Sequence, residues 1–247
     1  MSGHSKWATI KRKKGALDAK RGNLFTKLVK EIAVAARIGG GDPGGNPRLR
    51  LAIQSARSSS MPKENIDRAV KKATSTDADN YQETTYEANY GPVGIFIEAT
   101  TDNLNRTLAN VRTYLTKNGG TLGTNGSLSF IFSRKGIFNF TLTPETIADD
   151  LILELIDAGA EDVEIDETYV TVTGSFEDFG AMQKKLEGMN INIEEASIQR
   201  IPNNTVALDD EQFQKAMKLI DLLEDDDDVQ KVYHNLEVSE AQEAMLG

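Results

Sequence analysis

The first 75 residues carry apolar side chains at helical spacing in three consecutive stretches. In Asn23–Ile38 the apolar positions recur every three or four residues, which predicts a helix. A second helix is predicted from Pro47 to about Ser58, with Asn46 as its N-cap, and a third begins at Pro62. Short connections between them predict a small helical bundle.

The connection between the first two helices is rich in glycine. The segment Gly39–Asn46 reads GGGDPGGN and contains the spacing G-x-G-x-x-G. A dinucleotide-binding loop requires a strand before this motif, whereas here a helix precedes it. The segment is therefore predicted to be a mobile connector, and no cofactor is expected.

Beyond the polar linker Thr74–Asn80 the apolar spacing changes to that of strands and helices in alternation. Two β-α-β units are predicted, and together they would form one ferredoxin-like domain from residues 81–133 and 203–247. Their strands are predicted at Tyr81–Tyr90, Ile95–Thr101, Ser127–Ser133, Thr205–Leu208 and Val229–Val238, and their helices after Asn103 or Asn105 and at Asp209–Leu223.

Residues 134–202 repeat a complete β-α-β-β-α-β order, which predicts a second ferredoxin-like domain inserted into the first. The predicted elements are Ile137–Leu142, Pro144–Ala158, Asp162–Asp166, Tyr169–Thr173, Ser175–Glu187 and Ile191–Ile201, with Ser175 and Asp178 as a capping box. The predicted fold is multi-domain α and α+β. A basic helical domain, 1–75, precedes two ferredoxin-like α/β domains, 81–133 plus 203–247 and the insert 134–202.

Charge is distributed unevenly along the chain. Residues 1–75 contain 17 Lys and Arg against 5 Asp and Glu, and residues 76–247 contain 11 against 33, which together give the net charge of −10. Concentrating cations at one end of an acidic chain is electrostatically unfavourable unless that end meets a polyanion. Phosphate neutralisation dominates such binding, so nucleic acid is the expected partner.

The candidate contacts are the outward cations of the helical domain with two apolar side chains. Trp7 either stacks on a base or anchors the basic segment to the bundle, and Met61 either inserts into a partner or folds back onto the helices. A helix-turn-helix arrangement, with Lys63–Lys72 in a DNA groove, is a further alternative. The candidates are Lys6, Trp7, Lys11, Arg12, Lys13, Lys14, Lys20, Arg21, Lys27, Arg48, Arg50, Arg57, Met61, Lys63, Arg68, Lys71 and Lys72.

Several other functions are disfavoured. The chain has no Cys, and its two His residues, His4 and His234, fall in different predicted domains, so no nucleophile–base pair or metal site is expected. No apolar run approaches bilayer length, which indicates a cytoplasmic protein without a membrane partner. The acidic run Asp225–Asp228 lacks the pattern of a calcium loop. It is predicted to be a solvated, self-repelling loop, or alternatively to hold off or shield the basic bundle.

Four stretches together resemble the YebC/PmpR family, and the resemblance covers nearly the whole chain. They are GHSKWATIKRKKGALDAKRGNLFTKLVKEI, GGGDPGGNPRLRLAIQSARSSSMPKENIDRAV, YGPVGIFIEATTDNLNRT and VYHNLEV. The resemblance implies a helical domain and two α/β domains, the third inserted into the second. It also implies that Ser5–Lys14 and the loop at Met61, Pro62 and Lys63 contact nucleic acid.

The expected function is therefore non-enzymatic regulation of gene expression. Family members are labelled probable transcriptional regulators that bind DNA, and the family includes the mitochondrial translational activator of cytochrome c oxidase. DNA binding is the first expectation, and binding to ribosomal or transfer RNA on the ribosome is the alternative. A protein-interaction scaffold is the third, and the acidic α/β domains are expected to meet a protein partner.

Overall fold

The computed structural model describes residues 19–142 and 148–245, and the text below concerns these residues. The chain divides into two compact units, one of residues 1–132 and 202–247 and one of residues 133–201. The finer division of the first unit into a helical domain and a discontinuous α/β domain stays a prediction. No described helix is both long and apolar enough to span a bilayer.

Three helices open the first unit, as the apolar spacing predicts. They are α1 (Ala19–Gly39), α2 (Pro47–Ser58) and α3 (Lys63–Ala73), and Asn46 and Pro62 occupy the N-cap positions of the last two. Their inward faces form one apolar core. Its buried members are Ile32, Ala35, Ala36, Leu49, Ala52, Ala56, Met61, Ile66, Ala69 and Ala73.

The two ends of the glycine-rich connector are joined by Asn46, whereas residues 42–45 are exposed and the mobility of the segment stays a prediction. Asn46 is buried, and its amide nitrogen donates to the carbonyl oxygens of Ala35 at 2.8 Å and Gly40 at 2.9 Å. Its Oδ1 accepts from the backbone N–H of Leu49 at 3.1 Å. A Cβ on Gly39 would lie 2.6 Å from the Asn46 side chain, so glycine is required there for close packing. One side chain thus joins the end of α1 to the start of α2.

Replacing Asn46 with alanine is expected to lower the free energy of unfolding by about 1–2 kcal/mol, because the N-cap is lost and two carbonyl groups lose their donor. Asn46→Asp keeps the capping oxygen but places a buried carboxylate oxygen against the same two carbonyl oxygens, so it is expected to lose at least as much. Urea denaturation followed by circular dichroism measures both. Equal stability of the alanine variant and the natural chain would contradict this role for Asn46.

The first unit also contains a four-stranded sheet with helices packed on it. The elements are β1 (Gln82–Tyr90), β2 (Val93–Thr101), α4 (Leu104–Lys117), β3 (Thr121–Leu122), α7 (Asp210–Glu224), β8 (Val229–His234) and a short C-terminal helix, α8 (Glu240–Ala244). The strands are ordered β3-β1-β2-β8. Paired strands are antiparallel, and β1 and β2 form a hairpin in continuous register from Gln82–Thr101 to Tyr90–Val93. Helices α4 and α7 pack on the sheet through Val111, Leu115, Phe213 and Leu219.

This sheet corrects the first of the two predicted ferredoxin-like domains. Residues 125–131 form turns, and the predicted strand Ser127–Ser133 is absent. Leu128 and Phe132 are buried whereas Phe130 is 74% exposed, so the apolar alternation does not mark one face of a strand. The carboxylate of the buried Glu87 accepts from the N–H groups of Gly126 and Leu128, both at 2.6 Å, and holds this loop in place.

Two smaller corrections concern the C-terminal part of the same sheet. The predicted strand Thr205–Leu208 contributes only an isolated parallel bridge between Val206 and Leu236. Strand β8 ends at His234, short of the predicted Val238. The hairpin β1–β2 and the two-residue β3 supply the other strands, and the observed order is β-β-α-β followed, after the insert, by α-β.

The second unit has the predicted β-α-β-β-α-β order and a four-stranded sheet ordered β5-β6-β4-β7. Its elements are β4 (Phe132–Thr141), α5 (Ala148–Asp157), β5 (Ala160–Asp166), β6 (Tyr169–Ser175), α6 (Phe179–Gly188) and β7 (Glu195–Pro202). The predicted helix start at Pro144 lies outside the described residues. Helix α6 begins at Phe179 and not at Ser175, because Ser175 ends β6 and its Oγ accepts from the N–H of Asp178 at 3.1 Å.

Candidate nucleic-acid interface

Five of the candidate cations are exposed on α2 and α3 and make no ion pair within the described residues. Arg50 and Arg57 lie seven positions apart on α2, and therefore on one face of the helix. Lys63 starts α3, and Arg68 and Lys71 follow on its exposed side. Arg57 and Lys63 thus bracket the turn between the helices. We call these five side chains the cationic face: Arg50, Arg57, Lys63, Arg68 and Lys71.

Helix α3 also exposes two acids among these cations. Glu64 and Asp67 lie on its solvent side, and Asn65 is half-buried. A helix that enters a DNA groove is surrounded by phosphates, which repel carboxylates. The charge pattern of α3 is therefore better suited to contact with a phosphate backbone along one edge than to the predicted groove-reading alternative.

Three other candidate cations instead hold the helices to the rest of the first unit. Arg48 on α2 bonds Glu31 at 3.0 Å and Glu83 of β1 at 2.6 Å, and the hydrogen bond to Glu83 raises its pKa above the usual value. Lys72 pairs with Asp79 at 2.6 Å. Lys27 donates to the carbonyl oxygen of Glu224. These contacts compete with phosphate for the same nitrogen atoms.

The remaining candidate contacts are Met61, which is buried, and residues whose side chains lie outside the part of the chain that the structure describes. Met61 is only 5% exposed and packs in the helical core, as in the fold-back alternative. Lys20 and Arg21 lie in the first turn of α1, and their side chains are outside the description. The basic segment lies outside the described residues altogether: Lys6, Trp7, Lys11, Arg12, Lys13 and Lys14.

The acidic run that follows α7 is a structured turn, which corrects the prediction of a solvated, self-repelling loop. Asp226 and Asp228 are buried, whereas Asp225 and Asp227 are exposed. The Asp226 carboxylate accepts from Asn110 and Tyr114, both at 3.1 Å, and from the backbone N–H of Asp228 at 2.9 Å. Hydrogen bonds thus offset the repulsion that four consecutive carboxylates would otherwise create.

Asp228 is the buried centre of a charged cluster. Its carboxylate accepts from Lys30 of α1 at 2.7 Å, from Arg106 of α4 at 2.8 Å and from the hydroxyl of Thr107 at 2.8 Å. Thr101 donates to it at 3.1 Å. Burial alone would raise the pKa of the Asp228 carboxyl, but the bonds from Lys30, Arg106 and Thr107 outweigh burial and lower its pKa to about 2. Asp228 is therefore ionised at neutral pH.

Sequence reasoning missed the role of Lys30, which is not among the candidate residues. Lys30 has an 8% exposed side chain, and its ammonium group donates both to Asp228 and to the carbonyl oxygen of Asp227 at 2.7 Å. Asn23, Lys27 and Lys30 are spaced by four and three residues, so they share one face of α1. That spacing of three polar side chains was the available signal, although their partners lie some 200 residues away in the chain.

No group of three or more His, Asp or Glu side chains with the arrangement of a metal site occurs in ranges 19–142 and 148–245. The residues that the structure does bring together are a cationic face on α2 and α3, and a buried contact between α1 and the acidic turn.

Comparison with known proteins gives two family matches that together span most of the chain. Residues 5–76 match the TACO1/YebC protein N-terminal domain, and residues 81–236 match the TACO1/YebC second and third domain. A probable transcriptional regulatory protein of Chlorobium phaeobacteroides is 54% identical over 97% of this chain and 97% of its own length. One of Treponema denticola is 49% identical over 97% and 98%.

A solved structure is also similar. The crystal structure of a conserved hypothetical protein from Aquifex aeolicus superimposes with a TM-score of 0.80 at 42% sequence identity. The match covers 90% of this chain and 93% of that one.

Proposed function

Because the chain belongs to the TACO1/YebC family, we propose that it is a non-enzymatic regulator of gene expression that binds the phosphate backbone of nucleic acid through its helical part. The observation that carries this proposal is the cationic face, where five exposed cations lack an acidic partner among the described residues. Such side chains bind phosphate without first breaking an internal ion pair. The basic segment 5–14, with five further cations, adds to the same site.

Duplex DNA is the first proposed ligand, since the relatives are named probable transcriptional regulatory proteins. A regulator in the cytoplasm that acts on promoters would bind through phosphates with modest base preference. Trp7 would then lie near the backbone with the cations around it. The acidic second unit, with 5 Lys and Arg against 15 Asp and Glu in residues 133–201, would remain away from the DNA and meet a protein partner.

Structured RNA on the ribosome is the second candidate, and the two acids on α3 favour it. Glu64 and Asp67 disfavour insertion of α3 into a DNA groove, whereas an irregular RNA surface can place phosphates against the cations alone. In this reading Trp7 stacks on an unpaired base, and the protein regulates translation.

Sedimentation of the full chain with ribosomes at moderate salt separates the two candidates. A parallel sample lacks residues 1–14, and a third carries duplex DNA in place of ribosomes. If the full chain sediments with ribosomes and the chain without residues 1–14 does not, the result supports regulation of translation. If the full chain stays at the top of the ribosome gradient and binds duplex DNA at the same salt, the result supports regulation of transcription. Binding to neither ligand contradicts the proposed function.

A further inference from the structure

The contact between α1 and the acidic turn consists of polar groups, and the apolar cores on its two sides are separate. Among the described residues, the buried members of the helical core belong to α1, α2, α3 and the turn before α3, and none of them belongs to the core under the sheet. Between α1 and α4 lies a cavity of 580 Å³ lined by polar residues, including Asn23, Lys30, Arg106 and Tyr114. A polar contact of this kind separates more easily than an apolar one.

Three side chains of α1 make this contact on one face of the helix. Asn23 donates to the carbonyl oxygen of Asp225 at 3.0 Å, Lys27 to that of Glu224 and Lys30 to that of Asp227. The carbonyl groups of Glu224 and Asp225 lie at the C-terminal end of α7, where the helix dipole is negative and attracts cations, and that of Asp227 follows in the turn. Lys30 adds the ion pair with Asp228. The acidic turn therefore offers α1 closely spaced oxygen acceptors, three carbonyl groups and one carboxylate, and a phosphate backbone would also offer closely spaced oxygen acceptors.

The acidic turn remains satisfied when α1 leaves. Asp228 keeps the bonds from Arg106, Thr101 and Thr107, which all belong to the sheet side of the unit. Asp226 keeps Asn110 and Tyr114. Release of α1 therefore leaves no buried carboxylate without a hydrogen-bond donor. It also frees the two ammonium groups of α1 to contact solvent or another anion.

The two ends of α1 are held differently. Near its C-terminal end, Arg37 donates to the backbone oxygen of Tyr81 and to the side chain of Asn80, beside the linker that joins the helices to β1. Hydrogen bonds from Asn23, Lys27 and Lys30 join its N-terminal half to the acidic turn, and the Lys30 ammonium also lies 5.7 Å from the centre of the Tyr81 ring. A rotation about residues 74–81 would separate that half while the linker stays connected.

We propose that the contact of Asn23, Lys27 and Lys30 with the acidic turn Asp225–Asp228 is a latch, and that a nucleic-acid backbone opens it by competing for the two lysines. This inference rests on the proposed function. The closed form then hides Lys27 and Lys30, and the open form adds them to the cations that face the ligand. The acidic turn acts as an internal competitor, which favours ligands with closely spaced phosphates over isolated anions.

Energy transfer between two fluorophores on the full chain tests the latch. The chain has no Cys, so Leu24→Cys on α1 and Lys218→Cys on α7, both at exposed positions, take the labels specifically. A short mixed-sequence duplex, as DNA and as RNA, is the probe. We expect its addition to lower the transfer efficiency. In the absence of nucleic acid, Lys30→Gln is expected to raise the ratio of open to closed form at least about tenfold, since a charge-assisted buried bond is lost.

Lys215→Gln is the matched control, because Lys215 lies on α7, is exposed and, among the residues that the structure describes, forms its ion pair with Glu211 of the same helix. It changes the net charge equally and is expected to leave the transfer efficiency unchanged. Fluorescence anisotropy measures binding of the duplex independently. If the duplex binds and the transfer efficiency stays constant, the latch is wrong and the proposed function stands. An unchanged efficiency in Lys30→Gln also overturns the latch. If neither the duplex nor ribosomes bind at low salt, the proposed function fails, and the competing role of phosphate fails with it.

Discussion

Replacing Arg57, Lys63, Arg68 and Lys71 together with glutamine is expected to weaken binding to a duplex by about 10²- to 10³-fold near physiological salt. Each phosphate that a cation neutralises contributes about 0.9 to the slope of log affinity against log salt, so loss of four contacts lowers the magnitude of the slope by about 3.6. All four side chains are exposed, so the change is not expected to disturb the core. Titration of a labelled duplex at several salt concentrations measures both quantities.

A second quadruple variant controls for net charge. Arg112, Lys117, Lys184 and Lys218 are exposed cations outside the helical part, and their replacement with glutamine changes the total charge equally. This variant is expected to lose less than about threefold in affinity, through long-range electrostatics alone. Equal losses in the two variants would show that the cationic face has no special role and that overall charge governs binding.

Replacing Asp228 with alanine is expected to cost about 3–5 kcal/mol of the free energy of unfolding of the first unit, the largest stability effect that the buried charges predict. The change leaves Lys30, Arg106 and Thr107 without the acceptor that they share. Replacing Glu211, an exposed carboxylate on α7, with alanine is the control and is expected to cost little. Urea denaturation measures both, and similar small losses would contradict the structural role of Asp228.

The Asp228 carboxylate also predicts that the stability of the first unit depends on pH. The pKa of Asp228 is about 2 in the folded chain and 3.8 without its partners, so the unfolded chain binds its proton first as the pH falls. The contribution of Asp228 to the free energy of unfolding is therefore complete above its pKa in the unfolded chain. It is lost as the pH falls from about 4 to about 2. Asp228→Asn is expected to flatten the stability profile in this window. A profile that falls as steeply as that of the natural chain would contradict the assignment.

Local signals predicted the helices and the second unit, because each element there carries its own cap or period. Asn46 and Pro47 mark the start of α2, and they act through neighbouring backbone groups. In the second unit, strand and helix periods follow one another without interruption, so the element order could be derived directly. Elements whose geometry depends on adjacent residues are the ones that a sequence pattern describes well.

The incorrect predictions concern contacts between distant parts of the chain. The loop 125–131 resembles a strand, but Glu87 on β1 binds its backbone N–H groups and fixes it as turns. Four consecutive aspartates suggest a solvated loop, but Asn110, Tyr114 and Lys30 supply donors from other elements. Arg48 and Lys72 resemble the unpaired cations in sequence, and only the fold shows that acids lie beside them.

The central claim is that the helical part binds nucleic acid through phosphate contacts, and the affinity for a short duplex as a function of salt tests it most directly. The cationic face and the basic segment offer about five to ten phosphate contacts, which predicts a slope of log affinity against log salt of about −4 to −9. Reversing the charges of Lys11, Arg12, Lys13 and Lys14 is expected to reduce both affinity and slope. A slope near zero, or an affinity that this charge reversal leaves unchanged, would contradict the claim.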